Sequence, residues 1–390
     1  MRKYLFSAAK LKCISLAAVS LLMICSCATQ QDSKSELIAD QLFHDQDSIL
    51  NHADSYSDTI IIKYAKGLKV DYRNDGIHVT ITNPDPVAKQ SRPQTFIIRK
   101  HSSRFICTTA LQLGNFEVLG LEDKIVGINS LRHIFSLQTK EQLENGKTIA
   151  IGKEGNFDIE AVMAAKPDYI LVSASKYGGF DALKNNGIPL IPHHGYKETN
   201  PLGQAEWIKL IGLLTGETRR ANAVFADIEN KYLTLKSEVE KKYTSNGKKL
   251  PTVISGRQLR DGWYIVGGKS YMAQIFKDAG VDYIMKDNKE SGGVALDFET
   301  VYAKGVKADF WQIDGSWGGH FSLQTLASED ERYSTMDAYK NGKIVYCDLS
   351  AVPYRELAGV QPHFMLADFV KAFHPELLPH YTPKYYKLIK

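Results

Sequence analysis

The chain has 390 residues, more than one hydrophobic core organises, because cores stop growing near ~250–300 residues and longer chains divide. Hydrophobic residues make up 44% and charged residues 24%, a balance that excludes both a disordered chain and a membrane-embedded one. A formal charge of +4 at pH 7 is small for this length; it gives no reason to expect nucleic acid as a partner and does not repel an anionic ligand. The lysine pairs beginning at Lys241 and Lys248 read as solvated helix ends.

Residues 1–27 read as an address. Arg2 and Lys3 supply a positive start, and Ile14 to Ile24 form an apolar run too short to span a bilayer, the pattern of a signal peptide. The run closes on Leu22-Met23-Ile24-Cys25-Ser26-Cys27, which resembles a bacterial lipobox and makes Cys27 the expected lipidation site. Cys25 is the poorer candidate because the bulky Ile24 precedes it, and cleavage without lipidation is the alternative. Residues 28–59 are expected to be a tether, with Ala28 to Ser48 rich in Gln, Ser, Asp and Lys. Beyond the anchor only Cys107 and Cys347 remain, and they are expected to be separate thiols. No CxxC, HExxH or P-loop pattern occurs.

Residues 60–104 predict a small β appendage, with alternation from Gly67 to Thr82 around an Asn74-Asp75-Gly76 hairpin turn. Residues 105–215 change character. Strands are expected at Phe105–Thr108, Lys124–Ile128, Tyr169–Ser173 and Pro189–Ile191, and helices at Ala110–Leu119, Ile159–Ala165 and Gly203–Leu214. Residues 216–247 predict one long linker helix, Glu217 to Tyr243, free of Pro and Gly and about 40 Å long. In residues 248–380 strands at Thr252–Ser255, Asp309–Ile313 and Ile344–Tyr346 alternate with helices at Tyr271–Ala279 and Pro362–Phe373. Such alternation implies α/β architecture, two Rossmann-like lobes of parallel strands whose carboxyl-end loops bind ligand.

The order Thr108-Thr109, Leu119-Gly120-Leu121-Glu122-Asp123-Lys124-Ile125-Val126-Gly127, Glu160 and Lys166-Pro167-Asp168-Tyr169-Ile170 resembles the first lobe of the iron-siderophore and cobalamin substrate-binding proteins of ABC importers. Gly267-Gly268-Lys269-Ser270-Tyr271, Asp278-Ala279-Gly280, Asp297-Phe298-Glu299 and Ala308-Asp309-Phe310 are similar to the second lobe. The resemblance runs from Phe105 to Phe373. It implies a class III periplasmic-binding-protein fold, a ligand gripped between lobes of small relative motion, and delivery to an ABC permease dimer with its ATPase subunits. It also implies that Glu160 and Glu299 pair with permease arginines; the alternative is a pair of carboxylates placed only to suit positive helix ends.

A ferric siderophore, often anionic and always bulky, calls for cationic and aromatic side chains. The loops after the strands offer Arg132, His133, Tyr177 and Tyr196 in the first lobe. The second lobe offers Arg257, Arg260, Trp263, Trp317, His320, Tyr354 and Arg355. His193 and His194 adjoin on a strand and face opposite ways, which favours packing for that pair. A siderophore needs Arg132, Arg257 and Arg355 to converge, cobalamin needs a flat aromatic lining, and haem needs an axial Tyr196 or His133. A bare Zn or Mn ion lacks the necessary ligand spacing, so no direct metal site and no covalent cofactor other than lipid is expected. An exported hydrolase is the alternative of a different class. It would need a nucleophile with a base; no Gly-x-Ser-x-Gly occurs, and His320 has no partner in sequence. The expected protein is therefore a monomer that is no enzyme, lipid-anchored and facing the periplasm, with the cell surface as the alternative face.

Overall fold

The computed structural model describes residues 49–87, 92–129, 134–153, 155–173, 180–185, 187–245, 247, 249–260 and 262–389. The expected signal peptide, Cys27 and the expected tether up to residue 48 lie outside them. Residues 49–59, expected to be tether, are packed on the linker. Asp58 pairs with Arg219 at 2.6 Å, and Asn222 Nδ2 donates to the Ser57 carbonyl at 2.8 Å.

β1 (Leu68–Arg73), β2 (Gly76–Ile81) and β3 (Gln94–Ile98) form an antiparallel meander of their own. Arg73 faces Gly76 in the register, so the two turn residues are Asn74 and Asp75. Gly76, with φ +138°, opens the second strand instead of closing the turn, one position from the expected Asp-Gly centre. The meander does not extend the first lobe's sheet. Two buried carboxylates clip its entry segment down. Glu206 accepts from the main-chain N–H groups of Lys63, Tyr64 and Ala65 at 2.6–3.0 Å and from Lys209 Nζ at 2.7 Å. Glu198 accepts from Lys66 and Gly67 N–H and from Trp207 Nε1 at 2.9–3.1 Å.

The first lobe is a five-stranded parallel sheet in the order β10-β9-β4-β5-β6. Its elements in chain order are β4 (Phe105–Cys107), α1 (Ala110–Leu119), β5 (Ile125–Ile128), α2 (Leu137–Glu144) and β6 (Ile149–Ala150). A short hairpin, β7 (Gly152–Lys153) and β8 (Asn156–Phe157), leads to α3 (Ile159–Ala165), β9 (Tyr169–Val172), α4 (Phe180–Lys184) and β10 (Leu190–Pro192). The strands are nearly all apolar and buried, as a sheet covered on both faces requires. Helix α1 starts on a reciprocal capping box between Thr109 and Gln112 and stops at Gly120, whose φ of +63° is left-handed.

The helix expected over Gly203–Leu214 is two helices, α5 (Pro201–Ala205) and α6 (Ile208–Thr215). They break at Glu206-Trp207, both wholly buried against the appendage, where the amides of Lys209 and Leu210 bond back three residues rather than four. The linker is α7 (Thr218–Val239), about 33 Å long, ending in a π-helical turn Glu240–Thr244.

The second lobe contains β11 (Thr252–Ser255), β12 (Arg257–Leu259), β13 (Gly262–Val266), α8 (Tyr271–Asp278), β14 (Asp282–Tyr283) and β15 (Gly293–Leu296). It continues with α9 (Phe298–Gly305), β16 (Phe310–Gly315), α10 (Leu323–Glu329), α11 (Asp337–Lys340), β17 (Ile344–Asp348), α12 (Pro362–Phe373) and β18 (Lys387–Leu388). Its main sheet runs β14-β11-β16-β17-β18, parallel but for β18, so the lobe extends beyond the expected boundary at 380. Strands β12, β13 and β15 make a second, antiparallel sheet. Trp263, Trp311 and Tyr333, each 0% exposed, join the two sheets with rings 4.8–5.5 Å apart.

The aspartate of Lys166-Pro167-Asp168 has a counterpart in Lys307-Ala308-Asp309 of the second lobe. Asp168 accepts from Ser103 and Arg104 N–H, and Asp309 from Thr252 N–H, so each aspartate fixes the entry of its own strand and of the neighbouring one. The lobes meet where α1 lies on the π-helical turn Tyr354–Ala358. A Cβ on Gly114 would fall 1.8 Å from the Glu356 carbonyl oxygen, so only glycine permits this approach. Cys107 and Cys347 are free and buried, one in each lobe.

Candidate functional site

Parallel strands place their carboxyl ends on one side of the sheet. In the second lobe three loops therefore converge beside β11, β16 and β17. Gly256, with φ +77°, lets the chain pass within contact of the Tyr264 carbonyl and delivers Arg257. Arg257 Nη1 pairs with Glu329 Oε2 at 2.7 Å, and its guanidinium lies 5.3 Å from the centre of the Trp317 ring. Trp317 Nε1 donates to the other oxygen of Glu329 at 3.2 Å, so one carboxylate at the end of α10 aligns a cation and an indole. Guanidinium and indole form a planar, mutually supporting wall, and the guanidinium keeps donors for a ligand.

The wall is held from behind. Trp317 packs on Phe321 at 4.4 Å, and Phe321 on Tyr346 at 4.3 Å. Asp348 accepts from Trp317 N–H at 3.3 Å, Gly319 N–H at 2.6 Å, and Ser350 N–H and Oγ at 3.0 and 2.6 Å. Burial pushes its carboxyl up, but these donors outweigh burial and hold it below the usual carboxylate range. Gly315 leaves room for the indole to fold back, since a Cβ there would sit 2.6 Å from the ring.

Asp314, at the end of β16, is open to solvent on one side and ringed by protein on the others. Desolvation raises its carboxyl, opposed by the Tyr386 hydroxyl at 3.4 Å and by the charges of Arg257 and Arg355. The Tyr271 and Tyr354 hydroxyls are 3.3 Å apart, and burial raises both. The second-lobe wall thus offers aromatic surface, Arg257, and the carboxylates of Glu329 and Asp314, with the charge of Arg355 also acting on Asp314. Asp314, Glu329, Asp348 and Tyr271 were absent from the expected contacts. Asp314 directly follows an apolar run at a strand's carboxyl end, and that position was a usable signal. Glu329, 72 residues from Arg257, had none.

Of the expected contacts, Arg257 and Trp317 come together, and the charges of Arg257 and Arg355 both act on Asp314. Tyr196 lies in a 3₁₀ turn after β10, 37% exposed, with Lys197 Nζ 5.3 Å from its ring centre. Arg132, His133 and Tyr177 lie outside the described residues. Trp263 is a correction: it is 0% exposed, donates to the Ser255 carbonyl at 2.9 Å, and belongs to the core because β13 turns it inward. Arg260 and His320 are exposed, His320 beyond the left-handed Gly318-Gly319 pair. His193 packs on Trp207 at 4.9 Å with burial lowering its ring to about 3, so it is a neutral core residue. Among the described residues no three His, Cys, Asp or Glu side chains gather for a metal.

The two glutamates occupy matching helix turns. Asp158 caps α3 through the Ala161 N–H, and Glu160 is exposed in its first turn. Asp297 caps α9 through the Thr300 N–H, and Glu299 is exposed in its first turn. They differ in one respect. Glu299 lies 3.5 Å from Arg332, which covers the Phe298 ring, whereas Glu160 has no ion pair among the described residues.

Periplasmic binding proteins match the chain over residues 106–351. An uncharacterised lipoprotein of Methanocaldococcus jannaschii is 25% identical over 361 residues, 82% of this chain and 83% of its own length. Solved structures of the same fold include an ABC-type ferric hydroxamate transport protein from Saccharomonospora viridis, with TM-score 0.57, 17% identity and coverage of 76% of this chain and 98% of that one. A periplasmic haem-binding protein from Pseudomonas aeruginosa has TM-score 0.56 and 18% identity, over 74% of this chain and 98% of that one. Likenesses at this identity establish the fold, and their different ligands leave the cargo open.

Proposed function

We propose that this chain, which belongs to the periplasmic binding protein family, is the substrate-binding lipoprotein of an ABC importer and carries a ferric siderophore between its lobes. One observation carries the ligand class: Arg257 and Trp317, aligned by Glu329, form a cationic and aromatic wall at the carboxyl ends of parallel strands. Arg355 adds positive charge that acts on Asp314 beside it. On the first-lobe side Tyr196, in the turn after β10, is assigned to the same ligand. Glu160 and Glu299 dock on the permease dimer, one from each lobe. No described helix is long and apolar enough to cross a membrane, and attachment is assigned to a lipid on Cys27, a reading that the lipoprotein name of the archaeal relative supports.

Cobalamin or haem is the second reading, favoured by Trp317 and the Tyr271–Tyr354 pair, which offer a flat ligand more surface than charge. Native mass spectrometry of the chain from Ala28 with a ferric hydroxamate, a ferric catecholate, cyanocobalamin and haemin separates the readings. A one-to-one complex with a ferric siderophore alone is expected. Retention of cobalamin or haemin alone would replace that ligand, and retention of none would remove the proposal.

A further inference from the structure

The β appendage reaches the second lobe as well as the first. Asp85, just beyond β2, is only 10% exposed and has partners in three parts of the chain. Its Oδ2 pairs with Lys197 Nζ at 3.1 Å, in the first-lobe turn that carries Tyr196. Its Oδ1 accepts from Ser291 Oγ at 2.6 Å, in the second-lobe segment before β15, and from the appendage's own Val87 N–H at 3.1 Å. Burial pushes this carboxyl up, but Ser291, Val87 and Lys197 outweigh it and keep it below the ordinary range, so the carboxylate stays charged.

Two further observations give that contact its weight. The appendage is fixed to the first-lobe side through Glu198 and Glu206, so a force on Asp85 is a force between lobes. A cavity of about 540 Å³ in the second lobe, lined by Gly268, Lys269 and Ser270 among others, is also reached by first-lobe Thr199, two residues beyond Lys197.

We propose that Asp85 is an interlobe clasp, joining the turn of Tyr196 and Lys197 to Ser291, and that through it the N-terminal appendage sets how readily the lobes part and release ligand. Asp85 is a positioning residue: it holds the Tyr196 turn against the second lobe. The release part rests on the proposed ligand capture; the lobe-separation part does not.

Ser291→Ala removes the second-lobe partner and leaves the appendage and the first lobe untouched; Asp85→Ala removes both links. Nitroxide labels at Lys184→Cys and Lys307→Cys, exposed positions on opposite lobes, report the interlobe distance in ligand-free protein, since Cys107 and Cys347 are buried. Both variants are expected to lengthen and broaden the distance distribution. For the bound ferric siderophore the dissociation rate should rise about tenfold, the size of one lost charge-assisted hydrogen bond, with association changing less. A distance distribution in Ser291→Ala identical to that of the unsubstituted protein overturns the clasp, even if Asp85→Ala changes it, because the effect would then lie within the appendage. Failure of every ligand to bind would refute the capture proposal and leave the distance result standing.

Discussion

Each lobe carries a three-stranded antiparallel sheet beside its parallel one, and the two are attached by opposite means. On the first lobe, β1–β3 hang from Glu198 and Glu206, buried carboxylates that gather the amides of residues 63–67. On the second, β12, β13 and β15 are welded on by Trp263, Trp311 and Tyr333. A charged clip fails all at once when one partner is lost, because its other partners remain buried and unsatisfied. An aromatic joint loses stability in proportion to the surface removed. The N-terminal sheet is therefore a separately attached part, and the second-lobe sheet belongs to its lobe's core.

The largest effect is expected from Glu206→Ala. It strands the Lys209 ammonium and the amides of Lys63, Tyr64 and Ala65, at a cost of about 3–5 kcal/mol. Hydrogen exchange should show residues 60–98 losing protection first; full protection there would mean that something other than the clip holds the appendage. Trp263→Phe should cost about 1–2 kcal/mol by calorimetry, from lost volume and the bond to Ser255, and should leave appendage exchange unchanged. Coupled loss of protection in both sheets would erase the contrast.

A third test concerns burial of charge between the lobes. Burial raises Glu117 to about 7, reinforced by Glu356 and Glu122. Its folded value lies above the unfolded one, so its contribution to stability is full below about pH 4.5 and is lost as pH rises towards 7. Glu117→Gln should gain about 1–2 kcal/mol at pH 8 relative to its effect at pH 5 in urea melts; an equal effect at both pH values would show that Glu117 is not held neutral by the fold. The smallest effect separates the two glutamates proposed to dock on the permease. Glu160→Lys should weaken binding to the permease about tenfold and Glu299→Lys only about threefold, since Arg332 already occupies Glu299. Arg332→Ala should strengthen docking, and equal losses from both glutamates would mean that Arg332 does not compete.

Where local chemistry decided the structure, the sequence was readable. Helices Ala110–Leu119, Ile159–Ala165 and Pro362–Phe373 fall where caps and prolines place them, and Lys-Pro-Asp marks a strand entry in the first lobe. What escaped depends on partners distant in the chain. The break at Glu206-Trp207 is set by an appendage about 140 residues earlier, as the bond from Ala65 shows. Trp263 looked like a cleft aromatic because it was read as part of a loop after Thr252–Ser255, whereas β12 and β13 form there and turn it onto Trp311. At the site, Arg257 and Trp317 were legible as residue types after strand ends, but Glu329, which joins them, was not.

Tryptophan fluorescence tests the proposed ligand site most directly, because Trp207, Trp263 and Trp311 are wholly buried and Trp317 alone among the four is partly exposed. In a titration of the chain from Ala28 with a ferric siderophore, with inner-filter controls, saturable quenching is expected. It should largely vanish in Trp317→Phe, while native mass spectrometry still detects the complex. Quenching of the same amplitude in Trp317→Phe would place the ligand elsewhere and contradict the account.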